Sequence, residues 1–180
     1  GFGVDPGYKN LQNQQIILGS YDLLGRVVDS MPQLMTEYIS KGRFKTRQLY
    51  SNSPIEITRL VVGEKSNNML YEMRMLSDNR FQICSTDEDR SLDVTGEFDI
   101  PIVTDHFTIV VHNNQPSTGK IYFRFRTRDG LINEFMGRMQ LSLETEGSTV
   151  LRIALIGQTP DRDRDFIDNL VRIYLQKNLE

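Results

Sequence analysis

The sequence predicts an α+β fold in which helices pack on a mostly antiparallel sheet. Helical periodicity occurs near both ends of the chain and around residue 130, and alternating β-branched segments fill the middle. The resulting order is helix, strands, helix, strand, helix, which is typical of this class. A chain of 180 residues with 38% apolar and 25% charged residues also suits a soluble domain with its own core.

The first predicted element is a helix behind a flexible N-terminal segment. Residues 1–9 are rich in glycine, and a helical pattern begins at Leu11. Pro32 predicts that this helix ends near Ser30, and residues 33–40 could form a second, weaker helix. The apolar stripe that defines the first helix consists of Ile17, Tyr21, Leu24, Val28 and Met31.

The strands are predicted from alternation and turn residues. Residues 69–76 and 81–84 form a hairpin pattern around a polar turn. Residues 85–105 are acidic and rich in turn formers, with a short apolar piece at 100–103. The remaining strands of this region are predicted at residues 55–62, 107–112 and 121–126.

Three further elements complete the predicted order. Thr127 is a candidate N-cap for a helix running to about Leu143. Residues 148–156 are apolar on both sides, which predicts a central strand covered on both faces. Thr159 and Pro160 suit the N-cap and first position of the last helix.

The ends of the chain suggest that it is an excised segment. It opens with Gly1 rather than Met, and it stops at Glu180 inside a helical pattern without a Gly or Pro stop signal. We therefore expect one domain over residues 10–180 with a truncated C-terminal helix. No apolar run approaches the roughly 20 residues of a membrane span.

Charge and cysteine content exclude several classes. The net charge is −3, and residues 61–119 hold 10 acidic against 4 basic side chains, which argues against a nucleic-acid partner. A single cysteine, Cys84, allows neither an intramolecular disulfide nor a Cys-based zinc site. We interpret Cys84 as a small buried apolar residue rather than a reactive thiol.

The sequence predicts no catalytic, metal or cofactor site. Residues 161–165 resemble the start of a calcium loop, but Phe166 and Arg172 stand where Gly and Glu are needed. His106 and His112 do not have metal-ligand spacing, and the acidic residues 87–89 are expected to be a solvated turn. Neither a GxSxG nor a phosphate-binding GxxxxGK[ST] motif occurs.

Two groups of basic residues are candidates for binding. One is at every second position of a predicted loop, so that its side chains could share a face toward lipid phosphates or an acidic polysaccharide, although a merely solvated loop is the simpler interpretation. The other is on one strand face and could pair with the acidic segment or a neighbouring copy. The groups are Lys41, Arg43, Lys45 and Arg47, and Arg124 and Arg126.

Six segments, taken in order, resemble one known family. They are LQNQQIILGSYDL at 11–23, LYSNSP at 49–54, GKIYFRF at 119–125, STVLRI at 148–153, TP at 159–160 and FIDNLVRIY at 166–174. This set resembles the periplasmic domain of Wzz/Wzc-type polysaccharide co-polymerases, most closely the Bacteroidetes group associated with tyrosine autokinases. The resemblance covers most of residues 10–180.

The resemblance implies a periplasmic domain of an inner-membrane protein that regulates the chain length of capsule, exopolysaccharide or O-antigen. It implies anchoring by flanking transmembrane helices, a ring-like homo-oligomer, and a polymerase, an export channel and a growing glycan as partners. It implies no enzyme activity in this segment, although the parent can carry a kinase domain. For the oligomer interface we expect Asp168, Arg172 and Gln176 on the last helix, with Arg124 and Arg126.

Some alternatives stay open. The family usually has a strand before the first helix, which residues 1–9 do not show, so that strand is either trimmed or absent. A ligand-sensing extracytoplasmic domain that signals to a cytoplasmic partner would need a pocket lined by aromatics such as Tyr122 or Phe125. A glycan-trimming enzyme would need two carboxylates at suitable separation, and no pattern selects such a pair.

Overall fold

The computed structural model describes residues 6–115 and 119–178 of the chain. All strand pairs in this part are antiparallel, which confirms the predicted α+β class. In chain order the elements are α1 (Pro6–Leu18), α2 (Tyr21–Ser30), a 3-10 turn (Pro32–Met35), β1 (Thr36–Lys41), β2 (Thr46–Leu49), β3 (Ile55–Val62), a 3-10 turn (Glu64–Ser66), β4 (Tyr71–Met75), β5 (Arg80–Ser85), β6 (Asp93–Glu97), β7 (Ile102–Val103), β8 (Phe107–Asn113), β9 (Lys120–Phe125), α3 (Arg128–Arg138), β10 (Met139–Glu144), β11 (Val150–Leu155) and α4 (Pro160–Asn178).

The chain divides into two compact units. One combines residues 1–34 with 127–180, and the other consists of residues 35–126. We call them the helical unit and the sheet unit. The expectation of one domain over residues 10–180 stays a prediction.

In the helical unit, α2 packs against α3 and α4. α2, α3 and α4 each bury an apolar face, as amphipathic helices do. The rings of Phe135 on α3 and Phe166 on α4 stack with their centroids 3.8 Å apart. β10 and β11 form a two-stranded sheet in this unit. The other buried side chains of this core include Leu23, Leu24, Val27, Val28, Leu131, Ile132, Leu170 and Tyr174.

The sheet unit contains a six-stranded sheet in the order β2-β1-β9-β4-β5-β6 and a three-stranded sheet in the order β3-β8-β7. Alternating residues of both sheets meet in one apolar core, because successive side chains of a strand point to opposite faces. Tyr71 of β4 contacts Phe107 of β8 edge to face, with 5.1 Å between ring centroids. The same core holds Phe123 and Phe125 of β9.

Several predicted boundaries are confirmed. β3 spans residues 55–62 as predicted, and the hairpin of residues 69–84 is the pair β4 and β5. The N-cap at Thr127 is confirmed, since its hydroxyl oxygen accepts a hydrogen bond from the amide of Gly130 at 3.1 Å. β8, β9 and the start of α4 at Pro160 also lie where the patterns place them.

The first helix differs from its prediction. It is broken at Gly19, and Ser20 caps a second helix by accepting a hydrogen bond from the amide of Leu23 at 3.3 Å. Ile17 and Tyr21 of the predicted stripe lie on the exposed surface. The flexible segment predicted at residues 1–9 lies partly outside the described residues, as does the helix end at Glu180; α1 begins at Pro6.

Other expectations were wrong because pairing between distant strands outweighs local pattern. Residues 33–40 are not helical: a 3-10 turn leads into β1, which pairs with β9. The helix that begins after Thr127 ends at Arg138, where β10 begins, rather than near Leu143. Residues 148–156 hold β11, which pairs with β10 alone among residues 6–115 and 119–178 and is therefore an edge strand of this part rather than the predicted central strand. The acidic segment contains an additional strand, β6.

Candidate functional site

The first group of predicted basic residues lies on a hairpin, not a loop. β1 and β2 pair antiparallel, with Ser40 opposite Arg47 and Lys41 opposite Thr46. The amide of Gly42 donates a hydrogen bond to the carbonyl of Lys45 at 2.8 Å, which closes the turn. We call residues 41–47 the basic hairpin. Its side chains surround the tip of the hairpin and are exposed, rather than sharing one strand face.

An aromatic ring stands among these cations. Phe44 is 92% exposed at the apex, and the guanidinium of Arg43 lies 5.4 Å from its ring centroid. At the base of the hairpin, the ammonium of Lys41 lies 4.2 Å from the ring centroid of Tyr122 on β9. Burial, together with Glu72, raises the pKa of Tyr122, so its ring remains neutral beneath the cation. The hairpin is therefore an exposed patch that combines positive charge with an apolar side chain.

The second basic group is held within the chain. Glu37 of β1 lies directly opposite Arg124 of β9, which places their side chains on the same face of the sheet. Arg124 Nε donates to Glu37 Oε2 at 2.6 Å, and Arg126 Nη1 donates to the same oxygen at 3.2 Å. Glu37 is only 8% exposed. These arginines therefore neutralise a buried carboxylate, a role that the sequence left open beside contact with another copy.

The three predicted interface residues on α4 form one exposed stripe. Asp168, Arg172 and Gln176 are spaced four residues apart, which places them on one helix face. Arg172 Nη2 donates to Asn169 Oδ1 at 2.7 Å. Leu175, next to this stripe, is 55% exposed. The stripe belongs to the helical unit, whereas Arg124 and Arg126 belong to the sheet unit.

Sequence reasoning missed a charge cluster at the start of α4. Arg138 Nη1 donates to Glu134 Oε2 at 3.1 Å, and Arg162 Nη1 donates to the same oxygen at 2.9 Å. A second nitrogen of Arg138 binds Asp163. Both guanidinium groups also lie over the ring of Phe135, at 5.3 and 4.7 Å from its centroid. Four charged side chains thus join α3 to α4, and only the folded chain brings the pair on α3 to the pair on α4.

The structure also assembles a hydrogen-bonded chain that no local pattern shows. His112 Nδ1 lies 2.7 Å from Asp99 Oδ1, and His112 Nε2 lies 3.0 Å from Thr58 Oγ1. A hydroxyl, imidazole and carboxylate in this order are also found in hydrolases. Here the three groups lie on an exposed sheet face, with Asp99 and Thr58 open to solvent. We therefore interpret these three side chains as a hydrogen-bond network on the surface of the sheet.

The other residues weighed for chemistry have structural roles. His106 is buried and bonds to the hydroxyl of Tyr71 at 2.8 Å. Hydrogen bonds from the side chains of Ser85 and Ser91, with a further bond from the Ser91 amide at 3.2 Å, lower the pKa of Asp87. Cys84 is half-buried rather than buried as predicted, and its thiol donates to Asp93 Oδ1 at 3.4 Å. Burial and this contact raise the pKa of the thiol, which disfavours the reactive thiolate. No cluster of three His, Cys, Asp or Glu suited to a metal ion occurs among residues 6–115 and 119–178.

A cavity of about 740 Å³ lies at one end of the six-stranded sheet. Its polar lining includes Lys120, Asp78 and Asn113, and its apolar lining includes Met75. The side-chain oxygen of Asn113 is buried and has no hydrogen-bond partner in the described part of the chain. The aromatics expected in a sensing pocket lie elsewhere, since Phe125 is in the core and Tyr122 supports Lys41.

In the described part of the chain, no helix is both long enough and apolar enough to cross a bilayer.

The comparisons with known proteins agree in part with the resemblance found in the sequence. No protein-family model matches the chain. It is similar to the tyrosine-protein kinase wzc of Salmonella typhi, at 24% identity over 130 residues, and to that of Salmonella typhimurium, at 23% over 130 residues. Each match covers 71% of this chain but 18% of the relative, so the chain spans less than a fifth of their length. The similarity indicates a distant relation to Wzc-type proteins.

Proposed function

We propose that this chain is the periplasmic domain of a membrane-anchored polysaccharide co-polymerase, and that it regulates the length and export of a capsular polysaccharide, exopolysaccharide or O-antigen. The observation that carries the proposal is the similarity to the wzc kinases over 71% of the chain. The α+β fold agrees with what the sequence resemblance implies. Within the family, the six ordered segments favour the Bacteroidetes group.

The proposed mechanism is scaffolding rather than chemistry. The chain would assemble with other copies beside the polymerase and export channel, and this assembly would determine when the growing glycan is released. Any kinase activity would belong to another part of the parent protein, because the 180 residues contain no GxxxxGK[ST] motif.

The α4 stripe is the better supported of the two expected contact surfaces. Asp168, Arg172 and Gln176 are exposed, so they are accessible to a second copy. Arg124 and Arg126 are committed to Glu37, although Arg124 keeps 44% of its side chain exposed and can still reach a neighbour at its outer edge. We therefore propose that α4 makes the main contact between copies and that Arg124 makes a separate contact from the sheet unit.

The sequence of the gene on both sides of this segment tests the proposal. We expect an apolar span of about 20 residues upstream and another downstream, as a hairpin anchor requires. A downstream phosphate-binding loop with a tyrosine-rich tail would identify a fused autokinase. Flanks without any span would contradict the co-polymerase assignment.

The cavity favours a second candidate function, that of a ligand-sensing domain. Its lysine, carboxylate and amide groups, with the unpartnered oxygen of Asn113, could hold a polar ligand. Isothermal titration of the chain with oligosaccharides from the host's own surface glycan distinguishes ligand sensing from scaffolding. Saturable binding that is lost in Asn113→Leu would support sensing, and no heat of binding would leave scaffolding as the account.

A further inference from the structure

The basic hairpin concentrates charge that nothing in its own unit neutralises. Lys41, Arg43, Lys45 and Arg47 are all exposed, and none of them pairs with a carboxylate among the described residues. No acidic residue occurs between Glu37 and Glu56 in the sequence. The hairpin therefore carries four positive charges without a local counter-charge.

Two other cations at this end of the six-stranded sheet are paired with a carboxylate. The ends of β1 and β4 and the starts of β2, β5 and β9 meet here, as the antiparallel register requires. Lys120 Nζ lies 3.3 Å from Glu72 Oε1, and Arg74 Nη2 lies 3.8 Å from the same oxygen. Unlike Lys120 and Arg74, the four cations of the basic hairpin have no carboxylate partner among the described residues.

Phe44 indicates the kind of partner. Its ring is 92% exposed at the apex of a tight turn, between Arg43 and Lys45. An exposed phenylalanine flanked by cations suits the boundary of an anionic bilayer, where the ring enters the acyl layer and the cations meet lipid phosphates. A soluble acidic polysaccharide would engage the cations but would offer no apolar layer to the ring.

We propose that the basic hairpin docks on an anionic lipid surface, with Phe44 inserted below the headgroups and the four cations on phosphates. The hairpin is prepared for this role by its structure. Its turn is closed by the Gly42–Lys45 backbone hydrogen bond, and its base is held by Lys41 over Tyr122. Little ordering is required on binding, which favours affinity. The inference goes beyond the proposed function, since it depends on neither assembly nor glycan.

Tryptophan fluorescence tests the insertion of Phe44. The chain contains no tryptophan, so Phe44→Trp introduces a single reporter. Vesicles of equal parts phosphatidylglycerol and phosphatidylcholine should shift its emission to the blue, and vesicles of phosphatidylcholine alone should not. Val103→Trp, at a position 76% exposed on β7, is the matched control and should show no shift with either vesicle.

Vesicle sedimentation tests the charges. Arg43→Glu combined with Lys45→Glu should lower the partition coefficient at least 25-fold, on the basis of about fivefold for each cation removed. The control is Arg90→Glu with Arg164→Glu, which changes net charge equally at exposed sites outside the hairpin and should bind as the unmodified chain does. Circular dichroism of each variant verifies that it is folded. Binding should weaken as salt is raised.

Three results would overturn the proposal. The unmodified chain could fail to sediment with the anionic vesicles at low salt. The hairpin and control double variants could lose binding equally, which would indicate a general effect of net charge. Finally, the chain could bind soluble alginate while the Phe44→Trp emission stays unchanged on vesicles, which would assign the cations to a polysaccharide instead.

Discussion

At the scale of single residues, Gly157 keeps the charge cluster of the helical unit intact. A Cβ at this position would lie 2.1 Å from Arg138 Nη2 and 2.8 Å from Asp163 Oδ2. Arg138 cannot swing away without cost, because Glu134 and Asp163 both hold it. The side chains next to Gly157 are themselves half-buried or buried, so breaking this arrangement would leave charge without a partner.

We expect Gly157→Ala to lower the free energy of unfolding by about 2 kcal/mol, as overpacking of a tight site does. Gly137→Ala is the matched control. Nothing lies within 4 Å of a Cβ at Gly137, and it is in α3, so the change should raise the free energy of unfolding by about 0.5 kcal/mol. Urea denaturation measures both. Equal effects of the two substitutions would contradict this account of the cluster.

The shifted pKa of Tyr38 makes the free energy of unfolding depend on pH in the alkaline range. Burial raises its pKa from 10.0 to about 12 in the folded chain, although its hydroxyl oxygen accepts a hydrogen bond from the amide of Ile57 at 2.7 Å. The folded state therefore holds the phenolic proton more tightly than the unfolded state. The resulting stabilisation is present below pH 10 and is lost between pH 10 and about 12. Burial also raises the pKa of Tyr71, which acts in the same direction.

The substitution Tyr38→Phe tests the contribution of Tyr38 to stability, because it removes the hydroxyl that titrates and accepts the hydrogen bond. The variant should be about 1 kcal/mol less stable at neutral pH, because the amide of Ile57 loses its acceptor. Above pH 10 its stability should fall less steeply than that of the unmodified chain. Urea unfolding across an alkaline pH series measures both quantities. The same alkaline slope in both proteins would show that Tyr38 does not titrate with unfolding.

At the scale of elements, α4 carries the proposed contact between copies. Arg172→Glu reverses one charge in every contact of a closed assembly, so we expect the membrane-anchored protein to associate at least about tenfold more weakly. Arg90→Glu, an exposed change in the sheet unit, should leave association unchanged. Sedimentation velocity in detergent compares them. Unchanged association of the Arg172 variant would remove α4 from the interface.

The helices and strands also show which kinds of element can be predicted from the sequence. Strong alternation predicted β8 and β9 correctly, because Phe107, Ile109 and Val111 are buried on one side. The hairpin of β1 and β2 was missed, because charged residues at every second position hide the strand pattern, and its pairing with β9 is distant in sequence. The break at Gly19 was missed because the apolar stripe continues across it, although Ser20 is a typical cap.

Sites that depend on distant pairing could not be predicted. His112, Asp99 and Thr58 meet only because β3 pairs with β8 and the turn at Asp99 folds back on them. The partner of Arg124 and Arg126 is Glu37, which is almost ninety residues away in sequence. By contrast, the exposure of Asp168, Arg172 and Gln176 follows directly from helical spacing, which a sequence shows.

At the scale of the whole molecule, the chain combines two compact units that offer different exposed surfaces. The helical unit offers the exposed stripe of α4, and the sheet unit offers the basic hairpin. In the proposed function the first surface would join copies, and in the further inference the second would meet lipid.

The length distribution of the surface glycan tests the central claim most directly. The gene that encodes this chain would be deleted in its host, and the glycan would be separated by size on a gel. We predict that the deletion abolishes the preferred chain length or strongly reduces the long glycan, and that the intact gene restores it. A deletion strain with an unchanged amount and length distribution of glycan would contradict the account.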